Sequence, residues 1–178
     1  MTREEFLDWK GDGDTRYEFD GFEPVAMVGG VANHSLIAQN LYFALRSRLG
    51  RGPCRVMGPD AGVATAGDAV RFPDALVTCS PVSGSDRLIP GVVVVFEVLS
   101  PSSGRIDRIE KVREYRAVAS IRCYVILENT SAAATLLTRA DVSANWTANA
   151  LTASDMLALP DIGLQIPLAE IYQDIEFL

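Results

Sequence analysis

The alternation of hydrophobic and polar positions is most distinctive at residues 92–99, where the sequence VVVVFEVL is apolar except for Glu97. A short, mostly β-branched run between a glycine and a Ser-Pro pair predicts a strand that is buried on both faces. An ionised carboxylate in such a strand costs several kcal/mol unless it has partners, or its pKa shifts. We therefore expect something inside the fold to offset the charge of Glu97.

The pattern around this strand predicts a βαβ unit. A helix is expected to end near residue 119, and residues 121–128 are a second apolar strand, which should lie parallel to the first. A strand predicted at 72–78 is joined by a shorter loop and should be antiparallel. The other predicted elements are a short first helix with Thr2 and Glu5 as a capping box, a hairpin at 15–30, a helix at 33–49, short strands within 54–65, a strand at 133–139 and a short helix at 168–172.

These elements predict an α/β fold in which helices flank a mixed β-sheet. The length of 178 residues suits a single domain, 1–178, with a sizeable core. No apolar run approaches the roughly 20 residues that a membrane span needs, so no membrane partner is expected. The first ten residues lack an apolar signal region, which favours a cytoplasmic location.

The charge distribution excludes a simple nucleic-acid coat protein. The net charge is −7 and the sequence pI is about 4.7, whereas phosphate binding relies on lysine and arginine. Basic residues are nevertheless concentrated at 46–55 and 105–116. Each of these segments is either an ordinary solvated helix face or part of a groove.

The three cysteines predict neither a disulfide nor a zinc site. Cys54, Cys79 and Cys123 are odd in number, far apart along the chain and without a CxxC spacing or a neighbouring histidine.

Asp74 and Glu97 are the strongest candidates for chemistry. Side chains alternate along a strand, so these two carboxylates would point into one pocket if their strands are neighbours. Two close anions repel each other unless a cation lies between them, and hard oxygen ligands suit Mg²⁺ or Mn²⁺. The alternative is that Glu97 pairs with an arginine, for which Arg55 and Arg122 are available.

The helix that follows Glu97 adds a third candidate. Asp107, Lys111 and Tyr115 are spaced four residues apart and share one helix face. This helix starts beyond the carboxyl end of the Glu97 strand, where α/β sheets tend to hold ligands. Lys111 could reach a phosphate there, or it could form an ordinary surface ion pair with Asp107.

The order of several short motifs resembles the PD-(D/E)XK nuclease superfamily. Within it, the chain looks like a large bacterial branch described as restriction endonucleases or as a domain of unknown function. The motifs extend over about residues 18–172: YEFDG at 17–21, NHS at 33–35, PDALV at 73–77, EVLSPSS at 97–103, DRIEKVREY at 107–115 and LPDIGLQIPLAEIY at 159–172. The superfamily's lysine, two positions after the glutamate, is Leu99 in this chain. The resemblance implies that Lys111 takes its place.

The resemblance implies a restriction-endonuclease-like fold and a Mg²⁺- or Mn²⁺-dependent endonuclease acting on DNA. Asp74, Glu97 and the backbone carbonyl of Val98 would hold the metal, and Lys111 would orient the attacking water or stabilise developing charge. The supporting residues would be Glu18, His34, Asp107 and Tyr115. Glu18 could instead face solvent, and His34 could be an unremarkable polar residue in the first turn of a helix.

Two further expectations concern assembly and activity. A homodimer would suit cleavage of both strands of a two-fold duplex. Because Leu99 stands at the usual lysine position, the alternative function is a catalytically inactive nuclease fold that binds nucleic acid or a protein partner.

Overall fold

The strand that carries Glu97 lies inside a mixed β-sheet. The structure is a computed structural model that describes residues 1–27, 29–99 and 107–177, without the side chains of residues 107 and 108. In chain order, the elements within these ranges are α1 (Arg3–Asp8), β1 (Tyr17–Phe19), β2 (Pro24–Ala26), α2 (Ala32–Leu49), β3 (Arg55–Met57), β4 (Val63–Ala64), β5 (Val70–Arg71), β6 (Ala75–Thr78), β7 (Val92–Val98), a π-helical turn (Asp107–Lys111), α3 (Val112–Ala117), β8 (Cys123–Leu127), β9 (Ala133–Thr138), β10 (Thr147–Thr152), β11 (Met156–Leu159), a 3₁₀ turn (Pro160–Ile162), β12 (Leu164–Pro167) and α4 (Leu168–Ile171).

The main sheet has the strand order β10-β9-β8-β7-β6-β3 in the described part of the chain. β7 and β8 are parallel, whereas β6 pairs with β7 and β9 pairs with β8 in antiparallel fashion. The predicted βαβ unit, the antiparallel neighbour of β7 and the pairing of residues 133–139 are therefore confirmed. The Ser100–Gly104 break that was expected after the Glu97 strand lies outside the described residues.

The two faces of β7 bury different side chains. Val94, Phe96 and Val98 pack with α2 and α4, while Val95 and Leu99 pack with Tyr115 of α3 on the other face. Each fully buried large apolar side chain contributes roughly 1.5–3 kcal/mol, which holds the helices against the sheet. By alternation, Glu97 projects from the same face as Val95 and Leu99.

Helix α2 begins and ends close to its predicted bounds of 33 and 49. Ile37, Leu41, Ala44 and Leu45 are its buried residues, at the positions that the 3.6-residue period assigns to one face. Gly50, with φ of 53°, follows the last turn, because a positive φ suits glycine.

A second sheet carries the early glutamate. Its strand order is β2-β1-β5-β4, so Glu18 on β1 lies beside Arg71 on β5. The predicted hairpin of β1 and β2 is present, and Asp20 Oδ1 accepts hydrogen bonds from the backbone N–H groups of Phe22 and Glu23 at 2.7 and 2.8 Å. The β11–β12 hairpin and β10 were not predicted from the sequence.

Two predictions about residues 54–79 are wrong. β6 begins at Ala75 rather than near residue 72, so Asp74 immediately precedes the strand. A disulfide joins Cys54 to Cys79, with an S–S distance of 1.95 Å. The pairing of Arg55 with Thr78 places these two cysteines opposite each other, although 25 positions separate them in the sequence.

Among the residues that the structure describes, no helix has both the length and the hydropathy needed to cross a bilayer.

Candidate functional site

Glu97 finds its partners on the helix that follows it. Lys111 Nζ lies 3.2 Å from Glu97 Oε1, and the Tyr115 hydroxyl donates to the same oxygen at 3.0 Å. Of the two arginines proposed as alternative partners, neither is found at Glu97 in the described part of the chain. Arg122 lies 3.5 Å from Asp161, and Arg55 donates to the backbone carbonyls of Gly52 and Cys54.

The pKa of Glu97 reflects the free-energy cost of burying its carboxylate. Burial raises the pKa to about 8, and the nearby charges of Asp74 and Glu18 act in the same direction. Lys111 opposes this rise. The site therefore favours the protonated carboxyl until more positive charge arrives. Burial, with a further contribution from the charge of Glu97, also raises the pKa of Tyr115, which keeps its hydroxyl a hydrogen-bond donor.

The π-helical turn and α3 together bring Lys111 and Tyr115 to the same glutamate. The two residues are four positions apart, and both are buried. Asp107 begins the π-helical turn, but its side chain lies outside the described residues. A π-helical segment is rare and is frequent at functional sites, where it adjusts the direction of nearby side chains.

Asp74 lies next to Glu97 across the β6–β7 ladder. Ala75 pairs with Phe96, so the continuing register sets residue 74 opposite residue 97 on the same face. The backbone N–H of Val98 donates to Asp74 Oδ2 at 2.7 Å. The two carboxylates that were predicted to share a pocket are therefore neighbours.

His34, in the first turn of α2, contacts this pair. Its Nε2 lies 3.4 Å from Asp74 Oδ2, and the hydrogen bond with Asp74 raises the pKa of the imidazole. His34 is thus at the site rather than an unremarkable residue on the helix surface.

Glu18 is buried and does not face solvent. Its Oε1 lies 3.2 Å from Lys111 Nζ and accepts the backbone N–H of Phe72 at 3.2 Å. Lys111 therefore lies between Glu18 and Glu97, at 3.2 Å from an oxygen of each.

Sequence reasoning missed a buried ion pair behind Glu18. Arg71 donates twice to Glu114, at 2.7 Å in each case, and once to Glu18 Oε2 at 3.2 Å. Burial opposes the charge of Arg71, but the carboxylates of Glu114 and Glu18 outweigh this effect and raise its pKa. The position of Glu114, three residues after Lys111 on the same helix face, is a sequence signal that places Glu114 near the site but does not identify its partner.

The described side chains of the site carry more negative than positive formal charge. Among them, four carboxylates against two cations leave a formal charge of −2, not counting the imidazole; these residues are Glu18, Asp74, Glu97, Glu114, Arg71 and Lys111. A formal charge of −2 among these described side chains suits a divalent cation.

The donor set is limited to a few oxygens. Among the described residues, no group of three or more His, Cys, Asp or Glu side chains is arranged to hold a metal ion. Two carboxylates and a backbone carbonyl still fit Mg²⁺, which takes one or two protein carboxylates and keeps several waters.

The chain matches a known protein family over most of its length. Residues 3–169 match the model of the Uma2 family, described as putative restriction endonuclease. The chain belongs to the Uma2 family. The match includes Glu18, His34, Asp74, Glu97 and Lys111, so every part of the site described above lies within the family region.

Two individual proteins resemble this Uma2 member over nearly its whole length. "Uncharacterized protein slr1290" of Synechocystis sp. is 31% identical over 179 residues, which cover 99% of this chain and 94% of that protein. The crystal structure of a putative nuclease belonging to DUF820 from Anabaena variabilis has a TM-score of 0.76, at 11% identity, and covers 97% of both chains. At that identity, the structural likeness shows the fold alone.

The fold of this Uma2 protein is restriction-endonuclease-like, of the PD-(D/E)XK type, as the sequence motifs implied. The resemblance also implied that the lysine had moved from position 99. Leu99 is buried in the apolar cluster with Val95 and Tyr115, whereas Lys111 contacts Glu97.

Proposed function

We propose that this Uma2 protein is a Mg²⁺- or Mn²⁺-dependent endonuclease that hydrolyses phosphodiester bonds in DNA. The observation that carries the proposal is the facing pair of Asp74 and Glu97 with Lys111 Nζ 3.2 Å from Glu97. Membership of a family of restriction endonucleases supports the class of reaction.

Asp74, Glu97 and the backbone carbonyl of Val98 would hold the cation. A bound divalent ion supplies charge neutralisation at the scissile phosphate and lowers the pKa of the attacking water. The formal charge of −2 around the site and the raised pKa of Glu97 both favour an added cation.

Lys111 would act on the reacting phosphate. It is buried and held between Glu18 and Glu97, so its ammonium group is preorganised and needs little reorganisation during the reaction. Tyr115 would fix the orientation of Glu97 through their 3.0 Å hydrogen bond, and His34 would fix Asp74. Asp107 retains its proposed supporting role beside Lys111.

Cleavage of both strands of a duplex would be simplest with two copies of the site, so we propose a homodimer. We also propose that the protein acts in the cytoplasm, where the DNA of a bacterial cell is found. Disulfides are uncommon in that compartment, so the redox state of Cys54 and Cys79 in the cell tests the proposed location.

The alternative function is a catalytically inactive module with the same fold. Leu99, at the superfamily's usual lysine position, is the observation that favours it. Such a module would bind DNA or a protein partner without a divalent ion, and replacing Lys111 would leave that binding unchanged.

The deciding experiment incubates purified protein with supercoiled plasmid, linear duplex DNA, single-stranded DNA and RNA. Each substrate is tested with Mg²⁺, with Mn²⁺ and with a chelator. We expect cation-dependent cleavage of DNA by the wild type and none by Asp74→Asn purified in the same way. Absence of cleavage of every substrate by the folded wild type would refute the nuclease proposal and leave the inactive module.

A further inference from the structure

Arg71 is buried, which is unusual for an arginine. It lies on β5, is 5% exposed and directs its guanidinium group at two buried carboxylates from different elements. Nε and Nη2 each donate to Glu114 at 2.7 Å, which is the paired geometry that fixes a guanidinium plane most firmly. Thr65 donates to Glu114 as well, at 3.2 Å, so the carboxylate that fixes Arg71 is itself held.

The remaining contact of Arg71 leads toward the reaction centre. Nη1 lies 3.2 Å from Glu18 Oε2, which leaves Glu18 Oε1 directed at Lys111. Lys111 Nζ is 3.2 Å from both Glu18 and Glu97, so these two carboxyl groups both contribute to its position. The guanidinium charge of Arg71, shared between Glu114 and Glu18, offsets part of the charge of Glu18 and so weakens its attraction for the ammonium group of Lys111.

We propose that Arg71 is a positioning residue whose guanidinium group, fixed by Glu114, holds Glu18 so that Lys111 remains in contact with Glu97. The inference deepens the nuclease function proposed above, and its effect on catalysis rests on that function. The arrangement of the charged side chains can be measured without any activity.

The chain supplies a matched control. Arg139 is also a buried arginine, 7% exposed. Its guanidinium donates to the backbone carbonyls of Arg116 and Val118 at the end of α3, the helix that carries Glu114. None of its hydrogen bonds goes to a carboxylate within the described residues. Arg139→Met removes a buried guanidinium without touching the network around Lys111.

Lysine-selective ¹⁵N labelling reports on Lys111 directly, because the chain contains only Lys10, which is exposed, and Lys111. We expect the wild type to give a distinct Lys111 Nζ signal, protected from exchange by burial and by its ion pairs. In Arg71→Met this signal should shift or broaden, whereas in Arg139→Met it should remain at the wild-type position. An unchanged Lys111 signal in folded Arg71→Met, or an equal change in Arg139→Met, would overturn the inference.

Loss of the buried arginine could prevent folding, so Glu114→Gln is the second variant. It keeps an oxygen acceptor for Arg71 and removes the charge that fixes the guanidinium. Its Lys111 signal should also differ from that of the wild type. If folded Glu114→Gln leaves that signal unchanged, the inference also fails.

The cleavage assay then tests the consequence for catalysis. A misplacement of about 1 Å can cost about a hundredfold in rate, so Arg71→Met should lower kcat by one to two orders of magnitude and leave KM within about twofold. Arg139→Met should keep the wild-type kcat at a temperature where it is folded. A wild type without cleavage would refute the nuclease proposal, whereas the lysine signals would still decide the role of Arg71.

Discussion

Lys111 contacts Glu97 at 3.2 Å although 14 positions separate them in the sequence. The ammonium group comes from the helix after β7 rather than from the strand itself, where Leu99 occupies the superfamily's lysine position in an apolar cluster. Lys111 therefore offsets part of the cost of burying Glu97, although it comes from a different element of the fold. This relationship makes Lys111 the first residue to test.

Lys111→Met is expected to lower the rate of DNA cleavage by about a hundredfold or more, since a preorganised charge at the reacting phosphate is worth a few kcal/mol. The measurement is the single-turnover rate at saturating Mg²⁺. Lys10→Met is the control, because Lys10 is the other lysine of the chain and is exposed. Equal rates for Lys111→Met and the wild type would show that Lys111 takes no part in cleavage, which would contradict its proposed role.

Glu97→Gln should abolish cleavage and leave the fold intact. The amide oxygen can still accept the Tyr115 hydroxyl, while the buried charge is removed. Because burial raises the pKa of Glu97 to about 8, the site disfavours its ionised form, so the variant's free energy of unfolding at pH 7 should equal or exceed that of the wild type. Chemical denaturation in a chelating buffer measures it.

Glu110→Gln is the matched control for that variant. Glu110 is exposed on the π-helical turn, so its replacement should change neither cleavage nor the free energy of unfolding. A Glu97→Gln protein that is clearly less stable than the wild type would contradict the assignment of Glu97 as a destabilising buried charge.

The sequence predicts which candidate residues lie together better than it predicts the contacts that support them. The two-residue period of strands is enough to direct Asp74 and Glu97 to one pocket, and the four-residue spacing is enough to add Lys111 and Tyr115. Both placements follow from local geometry once β6 and β7 are neighbours.

The contacts that sequence reasoning missed depend on non-local register. Arg71 meets Glu114 because β5 of the second sheet approaches α3, and nothing in the spacing of the two residues reveals this. Cys54 meets Cys79 only because Arg55 pairs with Thr78. A one-residue slip in a strand reverses every side chain, so such contacts follow from the assembled sheet rather than from a segment.

Reduction of the Cys54–Cys79 disulfide should lower stability. A loop of 25 residues corresponds to about 3.5 kcal/mol in the chain-entropy model, which is a fall of about 10 °C in Tm for a protein of this size. The comparison is between oxidised wild type, reduced wild type and the Cys54→Ser/Cys79→Ser variant, by calorimetry. The variant should match the reduced protein and should not respond to reductant.

The same cysteines test the proposed location. Rapid acid quenching of expressing cells, followed by alkylation and mass spectrometry, measures whether Cys54 and Cys79 are thiols in the cell. Thiols in the cell and a disulfide after purification fit cytoplasmic action, because the cytosol keeps cysteines reduced. A fully formed disulfide in freshly quenched cells would contradict it.

Cys123 should be unreactive as long as the protein is folded. It lies at the start of β8, paired with Val94 of β7 in the apolar core, and burial raises the pKa of its thiol to about 12. The raised value means that ionisation opposes folding, so this contribution to stability is complete below the ordinary value of 9.0 and is lost as the pH rises toward 12. In Cys54→Ser/Cys79→Ser, where Cys123 is the only thiol, iodoacetamide at pH 8.5 should modify the native protein far more slowly than the guanidinium-unfolded protein. Comparable rates in the two states would show that the β7–β8 pairing opens readily, and the site built on β7 could not then be preorganised as proposed.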